Sequence, residues 1–89
     1  MADFVFTREF LLQFSQIERV ASRRELEFLE AALAEIANNP GLADRFATHY
    51  DPAEPSYFVR RGSFLIRFSE DSRTGDLVFR TLFRRRTTS

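Results

Sequence analysis

The stretch "YFVRRGSFLIRF", residues 57–68, decides how this chain is read. Phe64, Ile66 and Phe68 fall on one side of an extended chain, and Leu65, Arg67 and Ser69 fall on the other. Gly62 interrupts the alternation, and a glycine between two such runs marks a tight turn or a bulge. The stretch therefore predicts two antiparallel strands that meet at Gly62. A polar turn follows in "EDSRTGD", residues 70–76, and "LVFRTLF", residues 77–83, resumes the alternation as a third strand.

Upstream the period lengthens. Leu26, Leu29, Leu33 and Ile36 recur at helical spacing behind "SRRE", residues 22–25, in which Ser22 and Glu25 form a capping box. "NNPG", residues 38–41, ends that helix, because proline cannot continue it and Asn or Gly tolerates a left-handed cap. An earlier helix carries Phe10, Leu11, Phe14 and Ile17, with Thr7 as its cap and Glu9 in its first turn. Before it, "DFVF", residues 3–6, alternates as a short strand with Phe4 and Phe6 on one face. Residues 42–56, "LADRFATHYDPAEPS", read as a connecting loop with a turn of helix around Leu42 to Phe46. The expected fold is α+β: an N-terminal strand, a helical hairpin and three antiparallel strands, with the helices packed on one face of the sheet.

A chain of 89 residues accommodates one domain, here residues 1–89, and its 11 phenylalanines can fill a modest core. There is no cysteine, so disulfides, thiolate metal sites and thiol nucleophiles are excluded. No apolar run approaches the roughly 18 residues of a membrane span, and the expected location is the cytoplasm. Charge is unevenly divided. Residues 1–55 hold 5 arginines against 10 acids, and residues 56–89 hold 8 against 3. A basic surface built by the C-terminal half, suited to anionic partners, is the implication. All 13 basic residues are arginine; the guanidinium fork suits phosphates, while codon bias accounts for the choice without any function.

The usual catalytic signatures are missing: the sequence has no HExxH, no phosphate-binding glycine loop and no nucleophile elbow. His49 is the lone histidine and sits in the loop, where a solvated surface role is the simpler reading and a general base the sharper one. The outer sheet face is more informative. If Leu77, Phe79, Thr81 and Phe83 face inward, Arg80 and Arg84 point out with Val78 and Leu82, and Arg67, Arg60 and Phe58 join them. Arginines interleaved with apolar rings can clamp phosphates and stack bases of single-stranded nucleic acid, form a partner's groove, or remain a solvated face.

The order of elements, the "NP" that closes the second helix, the core "VRRGSFLIRF" and the ending "VFRTLFRRR" together resemble the RelE/ParE superfamily of type II toxins. The similarity spans nearly the whole chain. It implies a small cytoplasmic toxin neutralised by a co-expressed antitoxin. RelE-like members cut mRNA in the ribosomal A site without a metal or cofactor, and ParE-like members inhibit DNA gyrase. A non-catalytic binding module of the same fold is a third possibility. By the resemblance, Arg60 matches the first arginine of the motif and Arg85 the basic residue after the last strand, which makes them the catalytic candidates. Arg67, Arg80 and Arg84 become substrate-binding candidates. The match has gaps: Leu65 stands in the place of a second arginine, Ser56 and Phe58 replace lysines, and no tyrosine follows Phe83. The "LFRRR" ending is closer to ParE-like chains.

Overall fold

Thr7 and Ser22 start the two helices as their side chains predict. In the computed structural model, which describes residues 4–48, 55–71 and 73–85, the Thr7 hydroxyl accepts from the Phe10 amide and the Ser22 hydroxyl from the Glu25 amide, each at 3.2 Å. Helix α1 spans Arg8–Val20 and α2 spans Arg23–Asn38. Asn39 keeps a negative φ, so Pro40 rather than a left-handed residue ends α2.

The strands are β1 (Phe4–Phe6), β2 (Phe46–Ala47), β3 (Ser56–Arg61), β4 (Phe64–Glu70) and β5 (Leu77–Arg84). They form one mixed sheet in the order β1-β5-β4-β3-β2, with β1 parallel to β5 and the other neighbours antiparallel. The α+β layout holds, with both helices against one sheet face. The loop reading of residues 42–56 needs one correction. Residues 42–46 form no helical turn, and Phe46 and Ala47 instead pair with Phe58 and Tyr57 as a short edge strand.

Gly62 and Ser63 form the two-residue loop between β3 and β4. Gly62 has φ +59°, which the first position of a type II′ turn demands and other residues resist. A Cβ there would also lie 2.9 Å from the Phe28 ring of α2.

The core lies between the helices and the sheet. Phe10, Ile17, Leu29, Ala32 and Ile36 meet Val59, Phe64, Ile66, Phe68, Leu77, Phe79 and Leu82. Leu11, expected on the buried face of α1, is instead exposed, while Phe14 packs against the core. The Phe6 ring lies 5.2 Å from both Phe10 and Phe79, which adds about 0.5–1.5 kcal/mol per aromatic pair beyond burial. No helix among the described residues is long and apolar enough to cross a membrane.

Strand β5 departs from simple alternation. Arg67 pairs with Thr81 but Phe68 pairs with Phe79, so Arg80 is the extra residue of a β-bulge. Beyond it the faces exchange. Leu82 is buried in the core and Phe83 is 45% exposed, the reverse of the expected arrangement.

Strand β1 covers β5 only from Leu77 to Phe79, and α1 satisfies the edge that continues past it. The Thr7 hydroxyl donates to the Arg80 carbonyl at 3.0 Å, and the Gln13 side-chain oxygen accepts from the Leu82 amide at 2.7 Å. Removing that acceptor strands a half-buried amide, at a cost of about 1–3 kcal/mol. Gln13→Leu is therefore expected to lower the unfolding free energy, measured by denaturant titration, by this amount. Gln13→Glu, which keeps an acceptor, should lose less; equal losses in the two variants would show that the bond contributes nothing.

Candidate functional site

On the sheet face opposite the helices, which no described helix covers and which we call the open face, the alternate residues of each strand come together. On β3 these are Ser56, Phe58 and Arg60; on β4, Leu65, Arg67 and Ser69; on β5, Val78, Arg80, Thr81 and Phe83. The bulge places both Arg80 and Thr81 on this side. Register then sets Arg60, Leu65 and Phe83 in one row, and Phe58, Arg67 and Thr81 in the next.

Neutral hydroxyls hold two of the arginines in position. Arg67 donates through Nε to the Thr81 hydroxyl at 3.0 Å, and Arg80 donates through Nε to the Ser69 hydroxyl at 2.7 Å. Thr81 and Ser69 are buried beneath the guanidiniums they anchor. A hydroxyl fixes a guanidinium without itself adding a negative charge. Ser56, the third buried polar residue, shares a 2.6 Å hydrogen bond with Thr48.

Arg60 and Arg85 meet at one end of this face. The Arg85 amide donates to the Ser63 carbonyl at 2.6 Å, which ties the end of β5 to the β3–β4 loop. A cleft of about 210 Å³ results, lined by Arg60, Ser63, Leu65, Phe83, Arg84 and Arg85. Arg60 and Arg85 are exposed, and neither guanidinium has a hydrogen-bond or ion-pair partner among the described residues. Leu65, between Arg60 and Phe83 in register, shares the apolar part of the lining with Phe64 and Phe83.

Arg84 does not join the open-face group. After the bulge its side chain turns toward the helices, where Nη2 and Nε donate to the Glu25 carboxylate at 2.7 and 3.1 Å. This ion pair joins the start of α2 to the end of β5. Arg61, also on the helix side, donates to Glu35 through Nε at 2.7 Å and to Asp44 through Nη1 at 2.5 Å. The five arginines proposed from the sequence thus divide: Arg60, Arg67 and Arg80 share the open face, Arg85 borders its end, and Arg84 is committed to Glu25. His49 lies outside the described residues.

Arginine stays protonated in proteins and cannot serve as a general base. Among the described residues that line the cleft there is no histidine, carboxylate or tyrosine. Guanidiniums at such a cleft can recognise an anion and stabilise negative charge. Phe46 and Phe83 were missed as site residues, the first because it was read into a loop and the second because alternation placed it inward. No local signal marked Phe83, because Leu77, Phe79, Thr81 and Phe83 alternate as an unbulged strand would. Comparison with family models, with curated proteins and with solved structures finds no match for this chain.

The ion pairs carry a pH signature. The Arg84 guanidinium, assisted by the Ser22 amide, holds the Glu25 carboxyl below its ordinary value of 4.5. The Arg61 guanidinium does the same to Asp44, whose ordinary value is 3.8. A carboxyl whose folded pKa is depressed contributes stability above its unfolded pKa and loses that contribution as pH falls through the folded value. Thermal midpoints should therefore decline as pH drops below about 4.5. The Glu25→Gln, Asp44→Asn double variant should decline less steeply over the same interval. Parallel curves for variant and wild type would remove these two carboxyls as the cause.

Proposed function

We propose that this protein is a toxin of the RelE/ParE type that binds RNA on its open sheet face and cleaves mRNA on the ribosome, held inactive by a cognate antitoxin. The observation that carries this reading is the cleft shared by Arg60 and Arg85. The two arginines are distant in sequence, exposed, and without a counter-ion among the described residues. Two such guanidiniums in one concave site suit the non-bridging oxygens of a phosphodiester. The α+β layout, with both helices packed on one face of the sheet, leaves the opposite face to carry these arginines.

In the proposed reaction the RNA 2′-oxygen forms a bond to the adjacent phosphorus, and the bond from phosphorus to the 5′-oxygen breaks. The 2′-hydroxyl proton passes to water and the leaving 5′-oxygen takes one from water, which gives a 2′,3′-cyclic phosphate and a 5′-hydroxyl. Negative charge builds on the phosphoryl oxygens in the transition state, and Arg60 and Arg85 stabilise it there. Arg67 and Arg80 bind neighbouring phosphates.

A second reading is favoured by Leu65 and by the absence of an acid–base side chain among the described cleft residues. On that reading the face binds without cutting, either as a ParE-like inhibitor of DNA gyrase or as a docking module.

Translation in a cell-free extract separates these readings. Loss of protein synthesis with messages cut at codon positions is the expected result, whereas intact synthesis with failed DNA supercoiling would replace the proposal with the gyrase reading. Arg60→Ala and Arg85→Ala should each slow cleavage by about 10²- to 10³-fold, as for removal of one transition-state donor. Their stabilities should stay within about 0.5 kcal/mol of wild type, as for exposed side chains. Cleavage that survives both substitutions would overturn the assignment of these arginines.

A further inference from the structure

Three phenylalanines form a continuous band across the open face. The Phe46 ring on β2 lies 5.7 Å from Phe58 on β3, and Phe58 lies 6.4 Å from Phe83 on β5. Phe58 is 8% exposed, wedged between its neighbours, while Phe46 and Phe83 are 50% and 45% exposed. The rings at both ends of the band thus offer aromatic surface to solvent, and the central ring supports them. Neither outer ring contributes to the core beneath the helices.

Arg60, Arg67 and Arg80 occupy described strand positions on the open face, and no acid does. Glu70, the acidic residue among the described strand positions, follows Phe68 by two and so points to the helix side, where Arg45 lies 4.0 Å away. Exposed aromatic rings set among guanidiniums are what an unpaired polynucleotide requires: π surfaces for its bases and cations for its phosphates. A duplex offers the phosphates but keeps its base faces stacked inside. A protein partner would find apolar contact here, yet Arg60 and Arg85, which border the band at Phe83 and whose guanidiniums have no partner among the described residues, call for an anionic ligand.

We infer that Phe46 and Phe83, braced by Phe58, are a stacking subsite for two unpaired bases of single-stranded RNA whose backbone reaches Arg60. The choice of RNA over DNA rests on the function proposed above; the stacking geometry does not. Because each base presents a π face, the subsite is tolerant of sequence, and strand state rather than base identity is what it reads.

Fluorescence anisotropy with a labelled oligouridine, the same oligouridine annealed to oligoadenine, and a matched protein series tests this. The wild type should bind the single strand about tenfold or more tightly than the duplex. Phe83→Ala, Phe83→Leu and Phe46→Leu should each weaken single-strand binding about five- to one-hundredfold, the range for loss of one base–aromatic stack. These losses should leave the salt dependence unchanged, whereas Arg60→Ala should reduce the slope of log K against log salt by about 0.7. Both rings are half-exposed, so the variants should melt with the wild type.

Equal affinity for single strand and duplex would overturn the inference, as would leucine variants that bind like wild type, since a merely apolar contact survives that change. Translation assays of the same variants keep the two proposals apart. An extract whose messages are cut normally by Phe46→Leu and Phe83→Leu refutes the stacking subsite and leaves the toxin reading intact. Ring-dependent binding of single-stranded RNA by a protein inert in translation supports the subsite and refutes the toxin reading.

Discussion

The bulge at Arg80 is the constraint on which the rest of this structure depends. One extra residue in β5 reverses the facing of everything after it. Leu82 enters the core, Arg84 reaches Glu25 on α2, and Thr81 and Phe83 come to the open face. Without that reversal Leu82 would be spent on solvent and Arg84 would stand among the other arginines. The bulge is also where α1 engages the sheet edge, because Thr7 and Gln13 satisfy the backbone groups of Arg80 and Leu82 that β1 is too short to reach. On that edge the irregular segment is thus held by side chains at the start of α1 rather than by a neighbouring strand.

This arrangement separates two uses of arginine. On the helix side Arg61 and Arg84 are paired with carboxylates from α2 and the following loop, and they work as struts between layers. On the open side Arg67 and Arg80 are steadied by hydroxyls, and Arg60 and Arg85 border a cleft. Glu25, Glu35 and Asp44 meet their arginines at the edges of the helical layer, and the charged residues at the described strand positions of the open face are arginines although the net charge of the chain is zero. Such segregation matters more for binding than net charge does, since an anion responds to the local field within about a Debye length of roughly 8–10 Å.

Hydroxyl anchoring also bears on pre-organisation. A guanidinium fixed through Nε loses side-chain entropy during folding rather than during binding. Thr81 and Ser69, both buried, are placed to give Arg67 and Arg80 that advantage. Leu65 adds an apolar wall beside Arg60, where lowered polarity strengthens a charge-assisted contact.

Much of the architecture was legible in the residues themselves. Helix starts followed from Thr7 and Ser22, the β3–β4 turn from Gly62, and the core strand faces of β4 from the alternation of Phe64, Ile66 and Phe68. These are local effects, governed by capping bonds, by the φ that glycine alone takes without strain, and by a period of two. What lay beyond local reading was the facing of β5 after Phe79, the pairing of Phe46 with β3, the commitment of Arg84 to Glu25 and the meeting of Arg60 with Arg85. Each depends on which strand lies beside which, and a one-residue slip in register exchanges the two faces of a strand. The sequence by itself therefore determined both helices, the strands β1, β3, β4 and β5, and that arginines and rings would share a surface. Only the tertiary structure decided which arginines those are, because the register of β5 against β4 is settled by long-range packing of Leu82 and by the helix bonds that hold the bulge.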